Sequence, residues 1–172
     1  MIGLTFSATN YAIYKPLSNE VFNRWFHHIR SRFGTKMVAM RQTLRAFSSA
    51  SSPNIFSFGN DQAPSKDESH YWTTFLNQVS SVQLGIEKIA KKNDRPIFNL
   101  KISVIKRGYY EVDCVPLCLA PVETLPFEIT ELHTRFLENL IKEKPEYWLW
   151  SHRRWKYKPK EKIVMEKLNP LK

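Results

Sequence analysis

The densest chemistry in the sequence lies in PEYWLWSHRRWKYKP, Pro145 to Pro159, where three tryptophans, two tyrosines, one histidine and four cationic side chains share fifteen residues. Trp and Tyr join an apolar body to a polar edge and suit places where an oily region meets water, while neighbouring arginines suit phosphate and carboxylate. Trp148, Trp150, His152, Arg153 and Arg154 are therefore candidates for contact with an anionic headgroup; the same side chains can also pack over a sheet. Two shorter stretches offer related chemistry. RSRFG carries Arg30 and Arg32 where a helix should end, a position that favours cations with or without a ligand. GNDQAP places Asp61 and Gln62 directly after an apolar run, where open α/β sheets collect ligands and where turn formers also occur.

A general base would be needed for transfer to a hydroxyl. The histidines are His27, His28, His70, His133 and His152, and only HTRFLE, His133 to Glu138, sets an acid after a histidine with four residues between them. On a continuous helix that five-residue step turns by roughly 140°, so the two side chains point apart and cannot act as base and orienter. His133 instead shares a stripe with Ile129, Phe136 and Leu137 and is expected to be packed and partly buried. No catalytic residue and no metal ligand set is assigned.

The elements that must position these groups read as alternating α and β. Thr5 to Leu17 mixes β-branched and aromatic residues into a strand that ends at Pro16. Val21, Phe22, Trp25, Phe26, Ile29 and Phe33 then recur at helical steps, with Ser18 or Asn19 to cap the start and Gly34 to end the helix. KMVAM predicts a short buried strand, RQTLRAFSS a short helix and NIFSFG another buried strand. NDQAPSKDESHYW reads as a loop and SVQLGIEKIAKKND as a helix. RPIFNLKISVIKRGYYEVDCVPL reads as two strands hinged at Arg107 and Gly108, and EITELHTRFLENLIKEK as a helix burying Ile129, Leu132, Phe136, Leu137, Leu140 and Ile141.

Composition sets the partners. The chain has 172 residues, enough for a sizeable core, and a net charge of +10, which points to anionic partners. Ten Lys and Arg against four Glu from Lys142 to Lys172 place +6 of that charge in the last 31 residues. Cys114 and Cys118, within VDCVPLCLAPV, read as small buried hydrophobes of a reduced compartment. No run of about 18 apolar residues and no signal-peptide order is present in the sequence.

In order along the chain, YKPL, RSRFG, DQAP, YWTTFLNQVSSVQLGIEKIAKK, RGYYEV and then LE with PEYWLWSHRRWK resemble the lipid A biosynthesis acyltransferase family, the late-acting enzymes, lauroyl or myristoyl in type, that move a fatty acyl chain onto lipid A precursors. The resemblance runs from about Tyr14 to about Lys158, and the closing block is its most specific part. It implies an α/β fold like that of the glycerolipid acyltransferases, a central mixed sheet flanked by helices. Acyl carrier protein or another acyl thioester would be the donor, an anionic glycolipid the acceptor, and no cofactor would be needed. The place of work would be the cytoplasmic face of the inner membrane, met peripherally. The substrate-binding side chains would be Arg30 and Arg32 as anion clamps, Asp61 and Gln62 as hydrogen-bonding groups, and Trp150, His152, Arg153 and Arg154 near the headgroups.

The family also has an upstream His and acid, separated by four residues, and a membrane-anchoring helix. Neither is found in the matching stretch. The expectation is a C-terminal portion of such an enzyme, N-terminally incomplete and inactive alone, with residues 1–158 forming part of one acyltransferase domain and 159–172 a basic tail. A non-catalytic glycolipid-binding or membrane-surface remnant is the main alternative. A nucleic-acid binder would share the charge and aromatics, but no RRM, KH or zinc-finger spacing is present.

Overall fold

A computed structural model describes residues 8–51, 53–66 and 71–159. The chain divides into two compact units, Met1–Asn60 and Asp61–Lys172.

The first unit runs β1 (Thr9–Tyr14), α1 (Glu20–Ser31), β2 (Lys36–Ala39), a 3-10 turn (Met40–Gln42), α2 (Thr43–Ser49) and β3 (Asn54–Phe58). Both connections contain a helix, so the strands are parallel, in the order β2-β1-β3 with Tyr11 opposite Lys36 and Phe56. Asn19 caps α1, accepting from the backbone N–H groups of Val21 and Phe22 at 3.0 and 3.1 Å. Gly34, at φ +84°, turns the chain out of the helix, a conformation open to glycine. Phe56 stacks on Tyr11 at 4.6 Å and on Phe47 at 3.8 Å between ring centroids, which forms the aromatic centre of this unit.

Burial in this unit is less than the apolar patterns suggest. The apolar stripe of α1 is largely open, with Val21, Phe22 and Trp25 each more than half exposed, and β3 is only half-buried. Within its unit α1 contacts chiefly β2, and a three-stranded sheet is too narrow to cover a stripe that runs the length of a 12-residue helix.

The second unit contains the hairpin β4 (Tyr71–Phe75) and β5 (Gln78–Val82), α3 (Gly85–Asn93), the hairpin β6 (Ile97–Lys106) and β7 (Tyr109–Cys118), and α4 (Glu128–Glu143), with short 3-10 turns at Pro121–Glu123 and Pro145–Tyr147. The β6–β7 hairpin turns at Arg107 and Gly108 as the sequence predicts, with Gly108 at φ +82°. The β4–β5 hairpin was not legible: Tyr71 and Trp72 belong to β4 rather than a loop, and Ser81 and Val82 to β5 rather than a helix. Its turn residues, Leu76 and Asn77, both have positive φ, 48° and 61°, and lack the Asn-Gly signal that normally marks such a turn.

Among the described residues the sheets are three, one parallel and two antiparallel, in place of the single mixed sheet expected. Short turns pair β4 with β5 and β6 with β7, while helical connections impose parallel pairing in the first unit. The cysteines are corrected too. Cys114 is exposed and Cys118 half-buried, because Cys114 shares a face with Leu100 and Val112, and that face is exposed; the opposite face, with Asn99 and Lys101, turns to α4.

Ile129 and Ile141 of α4 are buried as expected, whereas Leu132 is exposed. The buried stripe instead includes Thr130, Thr134 and Glu138, at four-residue steps. Two of these polar residues tie the helix to distant chain. Glu87 of α3 accepts from Phe127 N at 2.6 Å, Thr130 N at 2.9 Å and Thr130 Oγ1 at 2.6 Å, so a side chain 43 residues away serves as the cap that Phe127 cannot supply.

Candidate functional site

The second unit gathers its chemistry around Phe75, the last residue of β4, which is fully buried. After α4 the chain folds back through the 3-10 turn at Pro145–Tyr147 and two tight turns, with Trp150 Nε1 donating to Pro145 O at 2.7 Å and His152 N to Leu149 O at 3.0 Å. This return places Trp148 and Trp155 against Phe75, at 6.3 and 6.4 Å between centroids, and lays the Arg154 guanidinium over the Phe75 ring at 5.2 Å. The aromatics of the closing block thus have a structural task.

The DQAP turn meets the same cluster. Ala63 N donates to His152 Nε2 at 3.1 Å, a bond between residues 89 apart, and Pro64 beside it is fully buried. Because Nε2 is the acceptor, the neutral ring carries its proton on Nδ1. Nε2 is committed to holding the turn in place.

Arg154 is the unusual member. It is 4% exposed, and among the described residues its Nε and Nη1 have no hydrogen-bond partner; the indole Nε1 of Trp155 is likewise buried and unmatched. Burial pulls the guanidinium down to about 10, and the nearby Asp61 carboxylate acts the other way by favouring the cation. Buried polar groups are normally paired, so three unmatched N–H donors on adjacent residues call for an acceptor.

Of the residues nominated from sequence, the structure brings together Asp61, His152 and Arg154. Gln62, Trp150 and Arg153 belong to the same two stretches but are exposed. Arg30 and Arg32 lie in the first unit, both exposed, at 5.3 Å over Phe26 and 4.6 Å over Phe33 respectively. Arg30 lines a cleft of about 180 Å³ with Tyr14, Lys15, Phe26 and His27. Sequence reasoning missed Phe75 and the Trp155 indole N–H. Trp155 was visible in the closing block, but nothing local marks Phe75 as the ring on which that block rests.

HTRFLE resolves as expected. His133 is half-buried with Nδ1 3.1 Å from Asn99 Oδ1. Glu138 Oε1 accepts from Leu76 N at 3.0 Å and pairs with Lys142 at 3.2 Å, while Oε2 pairs with Arg135, which also donates to Thr74 O. Its carboxylate therefore clamps the strained β4–β5 turn and is not a base's orienter. Burial would raise this carboxyl, but the hydrogen bonds from Lys142 and the Leu76 N–H and the charge of Arg135 outweigh it and hold the group below its ordinary value of 4.5. Glu138→Ala is expected to cost about 2 kcal/mol by stranding the Leu76 N–H. A depressed carboxyl contributes stability that is full above the unfolded value of 4.5 and is lost as pH falls through the folded value. Urea titrations should therefore show Glu138→Gln with a shallower loss of stability than the parent below about pH 4.5; equal slopes would remove Glu138 from that role.

The family profile described as bacterial lipid A biosynthesis acyltransferase matches residues 2–157. No curated protein matches the chain.

Proposed function

Because the chain belongs to the bacterial lipid A biosynthesis acyltransferase family, we propose that it binds the acceptor of fatty acyl transfer, a lipid A precursor or related anionic glycolipid, through the site that the DQAP turn and the HRRWK block build together. The observation that carries this is the Ala63–His152 hydrogen bond, which locks the two motif blocks to each other across 89 residues. Asp61 and Gln62 supply hydrogen-bonding groups for a hydroxyl, and Arg153 and Trp150, both exposed, meet headgroups at the rim.

The reaction of the family is attack of an acceptor hydroxyl on an acyl thioester carried by acyl carrier protein or another donor. The O–acyl bond forms, the C–S bond breaks, and the hydroxyl proton leaves with the thiol. A base must take that proton in the transition state. His152 Nε2 is occupied by Ala63 N and both Glu138 oxygens are occupied, so neither group is free to serve as that base, and we read the described residues as a binding element.

No described helix is long and apolar enough to cross a membrane. Peripheral binding at the cytoplasmic face of the inner membrane fits the basic, Trp-rich closing block. The test is sedimentation with vesicles of neutral lipid, of neutral plus anionic lipid, and of neutral lipid doped with a lipid A precursor. Binding is expected to the last two, stronger with the precursor, and to fall as salt rises, because exposed charges are screened within about 8 to 10 Å at moderate ionic strength. Equal binding to neutral vesicles at high salt would refute it.

A further inference from the structure

We infer that the outward face of the β6–β7 hairpin is a docking surface for an anionic lipid bilayer, lying in the headgroup layer with Lys106 and Arg107 at its turn end. The inference rests on the membrane-surface reading but gives it a second, separate contact, and its test reports on the hairpin itself.

The hairpin is built inside out. Directly opposed residues of an antiparallel pair share a face, and here Phe98 opposes Pro116, Leu100 opposes Cys114 and Ile102 opposes Val112. None of the six is charged and all are exposed, Ile102 at 61%. Val104 opposes Tyr110 and carries the same face toward the turn. The charge lies on the alternate positions, where Lys101 opposes Asp113 and Ser103 opposes Glu111. That polar face turns to α4: Lys101 pairs with Glu143 at 2.7 Å, and Asn99 Oδ1 lies 3.1 Å from His133 Nδ1. A sheet with one wet face normally buries its apolar side. This one is held by its polar side, so the apolar side is presented outward on a fixed scaffold.

Charge and size select a lipid surface as the occupant. The turn that ends the apolar face is cationic: Lys106 and Arg107 are exposed, and the exposed Ile105, Tyr109 and Tyr110 flank them. Lys106 Nζ lies 4.3 Å over the Tyr109 ring. Apolar area bordered by Tyr, Lys and Arg matches the boundary between acyl chains and anionic headgroups, where Tyr rings and long cationic side chains settle. A second copy of the chain fits less well. Two strands of 10 residues cover about 33 Å by 10 Å, roughly 330 Å², against about 800 Å² per partner in a standard interface. Pairing would also bring together two chains that each carry +10.

The experiment uses the full chain carrying Cys118→Ser, labelled at Cys114 with a polarity-sensitive fluorophore. Vesicles are phosphatidylcholine alone or mixed with phosphatidylglycerol, with and without acyl chains brominated near the headgroup. On mixed vesicles the label is expected to shift to the blue and to be quenched by the brominated chains. Ile102→Ser combined with Val112→Ser, both at exposed positions that leave the fold intact, should weaken binding at least about tenfold, because the deleted carbons no longer leave water. Lys106→Gln combined with Arg107→Gln should weaken binding to mixed vesicles about 25-fold, at about fivefold for each cation near an anionic surface, and leave binding to neutral vesicles unchanged. If the chain binds mixed vesicles but the label stays in water, or the Ile102→Ser, Val112→Ser chain binds like the parent, the hairpin surface is overturned and the closing-block reading stands. A label already shielded before vesicles are added overturns it too, by showing that a second copy or the chain itself covers the face; sedimentation velocity tells these apart. A chain that stays off mixed vesicles overturns both readings. If the label inserts but a lipid A precursor adds nothing to binding, the hairpin surface stands and the glycolipid reading fails.

Discussion

Given an acyl carrier protein thioester and a lipid A precursor, the purified chain is expected to transfer acyl groups at less than about 1% of the rate of a family enzyme with a positioned base assayed beside it, since a positioned general base contributes about 10² to 10⁴-fold. The reason lies in where the candidate bases are committed. His152 Nε2 accepts the Ala63 N–H at 3.1 Å, so it cannot also take a proton without breaking the bond that joins the two motif blocks. His133 sits about 140° around the helix from Glu138, whose oxygens serve Leu76 N, Lys142 and Arg135. Whatever residual transfer exists should be unchanged by His133→Gln. Turnover that this substitution abolishes would show that this chain carries its own base, and the binding-element reading would fall. Radiolabelled acyl transfer resolved by thin-layer chromatography is sufficient to decide it.

The second large effect is on stability. Glu87→Ala should cost about 3 kcal/mol, because it strands two backbone N–H donors and a hydroxyl at the buried start of α4. Phe127, at φ +70°, has no side-chain oxygen with which to cap the helix, and Glu128 in the first turn is already bonded to Leu125 N at 2.7 Å. The positive end of the helix dipole also favours the Glu87 carboxylate, so Glu87→Gln should cost less than Ala but still about 1 kcal/mol. Urea unfolding with an unchanged m-value is the appropriate readout, since a fall in midpoint alone then reports stability. A cost below about 0.5 kcal/mol for Glu87→Ala would mean that other groups satisfy the helix start.

Much of the local structure was legible because its causes are local. Helical spacing from Val21 to Phe33, with Asn19 ahead and Gly34 behind, was enough to place α1. Arg107-Gly108 was enough to place the β6–β7 turn. The same reasoning missed β4–β5, where Leu76 and Asn77 adopt positive φ without glycine. That turn is held from outside, by Glu138 on Leu76 N and Arg135 on Thr74 O, and no window of residues 71–82 contains either clamp. Burial was misjudged for a related reason: periodicity tells which residues share a face, not whether anything covers it. α1 has its stripe and α4 has its stripe, but only part of each is covered.

The site divides along the same line. From the order and chemistry of YKPL, RSRFG, DQAP and PEYWLWSHRRWK, the sequence by itself determined the family and the basic and aromatic character of the closing block, and it nominated Arg30, Arg32, Asp61, Gln62, Trp150, His152, Arg153 and Arg154 as candidates. It could not say which of two adjacent arginines does what. Only the tertiary structure separated an exposed Arg153 from a buried Arg154, tied His152 to Ala63, and set Arg154 upon Phe75. The physical reason is that residue type and spacing fix local preferences, whereas burial and hydrogen-bond partners at separations of 60 to 90 residues are decided by how the elements pack.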